Sequence, residues 1–340
     1  AMTGMDHANG HRPDGLLDLL HPGLRTTPGP DRETLSYDID QALGAVLKLH
    51  ADVPPDAFTA PTLGAEREGS GVVIDSDGLV LTIGYLVTEA NRVTLTMQSG
   101  AKIAAEPLAY DHETGFGMVR ALEPIEATPL PIGTTEAVSE GDPVVVASFG
   151  GYDHAIAAHV VSKRQFAGSW EYMLDEAIFT TPMHPYWGGA ALLDSEGRLV
   201  GTGSLYTEEP APGKRNTQGN MFVPIDLLAP IRQSMVMTGS AARIPRPWLG
   251  MHTAEDGERL IVTGVAPNAP ADLSGVQPGD IVLSVAGVAV KDLAHMYHTV
   301  WASGSSGSVI RFTLLRDDDV ITLRLQSGDR YDFLHLPRRH

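Results

Sequence analysis

The chain has 340 residues, enough for two domains that each bury a core of their own. Its 24 Lys and Arg stand against 42 Asp and Glu, a formal net charge of −18, which repels nucleic acid and acidic membrane surfaces and argues against phosphate binding. There is no cysteine, which removes disulfides, thiolate nucleophiles and cysteine-based zinc sites but fits either redox compartment.

Residues 1–34 carry Gly, Pro, His and Asp around one apolar patch, Leu16-Leu17-Asp18-Leu19-Leu20, and are expected to form an irregular arm. The first thirty residues lack a basic start and an apolar h-region, and no run reaches the ~18–20 apolar residues that span a bilayer, so a soluble chain without a transmembrane segment is expected. From Ile39 the texture changes to short β-rich runs: AVLKLHA, GSGVVIDSDGLVLTIG, RVTLTMQ, KIAAEPLA, GMVRAL, DPVVVASFG, AAHVVSKRQF, EAIFTT, GAALLD, RLVGTGSLY and MFVPI. Many short strands broken by Asp-Gly and Glu-Gly turns predict a mainly β, antiparallel barrel architecture over residues 35–238, closed by a helix near Asp226 to Met237.

A linker rich in small residues and proline, residues 239–247, leads to a second unit over 248–330, with 331–340 as a tail. Its pattern runs LIVTGV (strand), APADLSGV (short helix), a PGD turn into IVLSVAG (strand), LAHMYHTVWASG (helix) and the closing strands VIRFTLLR and VITLRLQ. This predicts a compact α+β module with an exposed groove between a strand and a helix, the geometry of peptide β-augmentation.

Several stretches carry a resemblance. GSGVVIDSDGLVLTIGYLV, YDHETGFGMV, MHPYWGGAALLDSEGRLVG and MFVPID resemble, in order, the histidine, aspartate and serine regions and the domain end of the HtrA (Deg) family of trypsin-fold serine proteases. PWLGM, GVAPNAPADLSGVQPGDIVLSVAG and the LAHMYHTVWASG helix resemble that family's PDZ domain. The resemblance implies a trypsin-like double six-stranded antiparallel β-barrel followed by one PDZ domain, acting without a cofactor.

Carried over residue by residue, the resemblance places Tyr85 at the general-base histidine, Gly115 at the orienting aspartate and Gly188 at the nucleophilic serine. Gly188 has no oxygen, and a tyrosine of pKa about 10 is a poor resting base at neutral pH. In a comparable triad, loss of the nucleophile alone costs about a millionfold in turnover. The family's oxyanion hole uses N–H groups of the serine and of the glycine two residues earlier; that second position is Tyr186, where a side chain disfavours the conformations glycine allows. Tyr186 and Trp187 either fill the vacated cleft or are surface aromatics on a loop. His112, His154, His159 and His184 and the hydroxyls of Ser148, Ser162, Ser195 and Ser204 lie near the relevant loops. None sits in a nucleophile setting, and His154 and His159 lack metal-ligand spacing, so no metal is expected.

In the PDZ-like part, Trp248-Leu249-Gly250-Met251 matches the carboxylate-binding turn, whose successive N–H groups form a nest for a C-terminal carboxylate. Leu293, Met296 and Tyr297 are candidates for the side-chain pocket; Leu293, Met296 and Val300 equally fit the core face of that helix. The expected function is a pseudoprotease that binds C-terminal or unfolded peptides as scaffold, regulator or chaperone-like subunit. It would form a homotrimer or co-assemble with an active relative, in the periplasm or cell envelope by resemblance, or in the cytoplasm if Met2 is the native start. Two alternatives stand beside it: a serine endopeptidase with a displaced active site, and a structural subunit docked through the DGLLDLLHPGL arm.

Overall fold

The computed structural model describes residues 27–335; most of the expected arm and the end of the tail lie outside them. The described chain divides into one unit of residues 27–164, 176–242 and 335 and another of 165–175 and 243–334.

The first unit opens on helix α1 (Ile39–Gly44), capped by the Asp38 carboxylate, which accepts from the N–H groups of Asp40 and Gln41. There follow β1 (Val46–Asp52), α2 (Ala60–Leu63), β2 (Glu66–Val73), β3 (Leu79–Ile83), α3 (Gly84–Val87), β4 (Arg92–Thr96), β5 (Lys102–Tyr110) and β6 (Phe116–Ala121). All six strands close an antiparallel barrel in the order β1-β2-β3-β6-β5-β4. The predicted Asp-Gly turn between β2 and β3 is built by Asp75, whose Oδ1 accepts from Asp77 and Leu79 N–H, a local alternative that ends one strand and starts the next.

A second barrel follows from β7 (Pro143–Ala147), β8 (Ala155–Gly168), β9 (Tyr172–Thr181), β10 (Ala191–Leu193), β11 (Leu199–Thr207) and β12 (Gly219–Pro224), closed in the order β10-β11-β12-β9-β8-β7. Val144, Val146, Ile156, Ile178, Leu192, Val200 and Phe222 fill its interior, the alternate residues of strands whose period of two turns every second side chain inward. Helix α4 (Ala229–Thr238), the one expected near Asp226 to Met237, ends at Gly239 in the left-handed region.

The second unit holds β13 (Met251–Asp256), β14 (Arg259–Val265), α5 (Pro270–Leu273), β15 (Ile281–Val285), β16 (Val288–Ala289), α6 (Leu293–Ala302), β17 (Val309–Arg316) and β18 (Asp319–Gln326). Its sheet runs β13-β14-β15-β17-β18, with β16 paired to β15. The expected tail is partly ordered: Arg330–Phe333 form a turn of 3-10 helix, and the Phe333 ring packs 4.9 Å from that of Trp248.

The architecture is mainly β, two six-stranded barrels and an α+β module: the strand pattern predicts a β barrel and the α+β module, and the resemblance implies the doubled six-stranded form. One feature differs from the linear reading. Residues 167–175, read as a connection between two short strands, extend β8 and β9 to a tip of only Ser169, Trp170 and Glu171, and 165–175 belong with the second unit.

Candidate functional site

Two places gather the candidate residues. The first, in the first unit, holds Tyr85, Gly115 and Gly188. Tyr85 sits on α3, whose carbonyls are pinned by Arg67: its guanidinium donates to the oxygens of Tyr85 and Thr88 at 2.9 Å, to Gly64 at 3.0 Å and to Thr59 Oγ1 at 2.8 Å. Burial pulls the Arg67 guanidinium down to about 10, partly offset by the charge of Glu89, so it stays cationic at neutral pH. The Tyr85 hydroxyl donates to the Ser204 carbonyl at 2.8 Å. Burial pushes its phenol well above the ordinary value, against a smaller downward pull from the nearby Trp187 indole N–H.

Gly115 lies between β5 and β6 at φ +91°, a left-handed conformation that disfavours a side chain. Its carbonyl accepts at 2.6 Å from the N–H of Gly84, the residue before Tyr85. The Gly188 carbonyl accepts from Ser70 N–H at 2.8 Å. Gly189 follows at φ +75°, and a Cβ there would lie 1.9 Å from the Ser70 carbonyl oxygen. Tyr186 N–H donates to His184 Nδ1 at 3.0 Å, and Trp187, 8% exposed, stacks on Tyr206 with ring centroids 6.0 Å apart. Its indole N–H has no hydrogen-bond partner among the described residues.

The second place is the groove between β13 and α6. The amides of Leu249, Gly250 and Met251 converge: Leu249 N–H donates to Glu171 Oε1 at 2.8 Å, and those of Gly250 and Met251 to Glu171 Oε2 at 2.8 and 3.3 Å. Gly250 has φ +70°, and a Cβ there would stand 2.4 Å from that of Ala269, so the turn admits only glycine without rearrangement. Trp248 pairs with Gly328 through reciprocal backbone bonds of 3.0 and 2.9 Å. Leu293, Met296, Tyr297 and Val300 are all buried in one cluster with Leu249 and Met251, and Ala167 and Met173 pack into the same cluster. The groove is therefore not the exposed one expected from the sequence, because residues of 165–175 lie along it.

Comparison with known proteins gives the fold and its parts a lineage. Residues 69–201 match the model of the trypsin-like peptidase domain and residues 247–326 that of the PDZ domain. The chain combines a trypsin-like peptidase domain with one PDZ domain. It is 23% identical over 287 residues to HhoA of Synechocystis sp., covering 77% of this chain and 70% of that protein. It is 24% identical over 282 residues to the "Probable periplasmic serine endoprotease DegP-like" of Hahella chejuensis, covering 78% of this chain and 57% of that one. Among solved structures, a variant of the HtrA-type protease AlgW with tripeptide superposes with a TM-score of 0.53 at 18% identity, over 86% of this chain and 96% of that one.

Within the peptidase domain several of the remaining candidates are engaged in the fold. His184 is fully buried; its Nε2 donates to the His154 carbonyl at 2.8 Å and its Nδ1 accepts from Tyr186, which fixes a neutral tautomer. His112 Nδ1 faces the Tyr110 hydroxyl at 2.8 Å, His154 ends a 3-10 turn, and His159 lies exposed on β8. Ser162 donates to the Pro210 carbonyl, the Ser148 hydroxyl lies 3.4 Å from the Phe149 carbonyl, the Ser204 carbonyl serves Tyr85, and the Ser195 carbonyl accepts from Ser36. Among the described residues no group of His, Cys, Asp and Glu has metal-holding geometry, and no helix is long and apolar enough to cross a membrane.

In the PDZ domain, sequence reasoning missed Glu171. A glutamate in a short turn between aromatic residues carries no local signal of burial, and its partners lie 78 to 80 residues away.

Proposed function

We propose that the protein is a catalytically inactive HtrA-type protein, a pseudoprotease that binds peptides or partner proteins through its PDZ domain as a scaffold or regulator. The observation that carries the reading is the side chains at the three triad positions: glycine at 188 and 115, and at 85 a tyrosine whose proton is committed to the Ser204 carbonyl. Peptide hydrolysis of this type needs an oxygen nucleophile, a base to take its proton and a carboxylate to hold that base. A phenol raised by burial keeps its proton at pH 7 and takes none from a neighbour.

The oxyanion site supports the same reading. The N–H of Tyr186, one of the two donors the family resemblance implies, is already given to His184 Nδ1. Self-assembly or co-assembly with an active relative goes with this function, as does a place in the cell envelope, where the Hahella chejuensis relative is described as periplasmic.

Purified protein treated with a fluorophosphonate probe and assayed on casein tests the reading. No labelled serine and no turnover is the expected result; specific labelling of any serine would establish an active hydrolase with a displaced nucleophile and end the proposal.

A further inference from the structure

In the PDZ domain the peptide-binding nest is filled by the chain itself. Both oxygens of Glu171 are engaged, by three successive backbone N–H groups. That is the donor set a terminal carboxylate would use. Two residues earlier, the Ser169 carbonyl accepts from Thr253 N–H on β13 at 3.1 Å, a main-chain bond of the kind an added strand makes at a sheet edge. On the other wall, the Tyr297 hydroxyl of α6 accepts from Glu171 N–H at 3.0 Å and donates to the Gly168 carbonyl at 2.5 Å, clamping the tip from both ends. Ala167 and Met173 occupy apolar space among Leu249, Met251, Leu293 and Met296.

Two costs show that the contact is built. Glu171 is 6% exposed, and burying a carboxylate costs several kcal/mol unless donors match it. It also holds φ +57°, a left-handed conformation unfavourable to a residue with a side chain. A hairpin tip with no role in the groove could place this charge in water at neither cost.

We propose that residues 165–175 are an internal ligand of the PDZ domain. The Glu171 carboxylate stands in for a peptide's C-terminal carboxylate in the Leu249-Gly250-Met251 nest, so the groove is latent and a carboxylate-ended peptide binds by displacing the tip. The inference deepens the peptide-binding reading above and rests on it for the nature of the competing ligand.

The test uses the full chain, wild type and Glu171→Ala, with Tyr297→Phe as a milder variant that loosens the clamp and leaves the ring in the core. Hydrogen exchange is followed at the amides of Leu249, Gly250 and Thr253. Binding is measured to a fluorescent pool of random decapeptides with free C-termini and to its C-terminally amidated counterpart. The expected result is at least a tenfold loss of protection at the three amides in Glu171→Ala and a smaller loss in Tyr297→Phe. The free-carboxylate pool should bind Glu171→Ala at least tenfold more tightly than wild type, with no gain for the amidated pool. Unchanged protection in both variants, or equal affinity of wild type and Glu171→Ala for the free-carboxylate pool, overturns the proposal. Protection lost in the variants with no binding of either pool to any protein supports the internal ligand and defeats the peptide-binding reading, so the two failures are told apart.

Discussion

The carboxylate of Glu171 and the amide of Gly250, 79 residues apart in the chain, meet at 2.8 Å inside the PDZ groove. A buried carboxylate held by N–H groups has a pH dependence that follows from its surroundings. Burial raises the Glu171 carboxyl from 4.5 to about 7, although the amides of Leu249, Gly250 and Met251 and the charge of Arg330 pull it down. Tyr297 on α6, which itself feels Glu171 and Glu255, is the other ionisable neighbour. The docked state thus holds its proton more tightly than the released state. Its stabilising effect is complete below pH 4.5 and is lost as pH rises through about 7, a span worth roughly 3 kcal/mol at most. Protection of the Leu249 and Gly250 amides, corrected for intrinsic exchange, should fall between pH 5 and 8 in wild type and stay flat in Glu171→Gln. A flat wild-type profile would mean that the N–H donors outweigh burial.

The Gly250 turn has no room for a methyl group. With φ +70° and the Ala269 Cβ at 2.4 Å from the added carbon, Gly250→Ala should destabilise the PDZ domain by about 2–4 kcal/mol, summing backbone strain and overpacking. Urea unfolding followed by tryptophan fluorescence measures it, and a loss under 1 kcal/mol would show that the nest is more plastic than drawn.

Arg67 holds the segment that carries Tyr85. Arg67→Met removes donors to three carbonyls and a hydroxyl and leaves the Glu89 carboxylate without its nearby cation. Leaving a buried acceptor without its donor costs about 1–3 kcal/mol, which should appear as a lowered first transition in calorimetry. A transition at the wild-type temperature would make the cluster dispensable.

On the proposed reading, placing His, Asp and Ser at positions 85, 115 and 188 should not create an enzyme. In the triple variant Tyr85→His, Gly115→Asp, Gly188→Ser, the aspartate inherits a left-handed φ of +91°, a strain of about 1–2 kcal/mol. Tyr186 N–H also remains bound to His184. Casein turnover is expected to stay at background. Measurable cleavage would show that the side chains alone had been missing and that the backbone is still competent.

The barrels were legible because their strands alternate and end at Asp-Gly or Glu-Gly turns, such as the one Asp75 builds. Tyr85, Gly115 and Gly188 were assigned to the triad positions from flanking motifs alone; in the fold Gly115 bonds to Gly84, next to Tyr85, and Gly188 to Ser70. What those residues do was not legible: the Tyr85 hydroxyl finds a carbonyl 119 residues on, and His184 is fixed by Asn220 on β12 and by His154 at the end of a 3-10 turn. The tip at 169–171 was hidden for a related reason. Its sequence satisfies a solvated turn and an inserted one equally well, and only tertiary contacts choose between them.

Because the 165–175 segment is joined to its groove by the same polypeptide, it competes with free peptides as though present at about millimolar concentration. A dilute peptide of ordinary micromolar affinity loses that contest. The partners that win are those delivered in high local density, displayed as clusters of exposed C-termini or carried by a protein already held alongside, so the tether acts as a threshold on abundance.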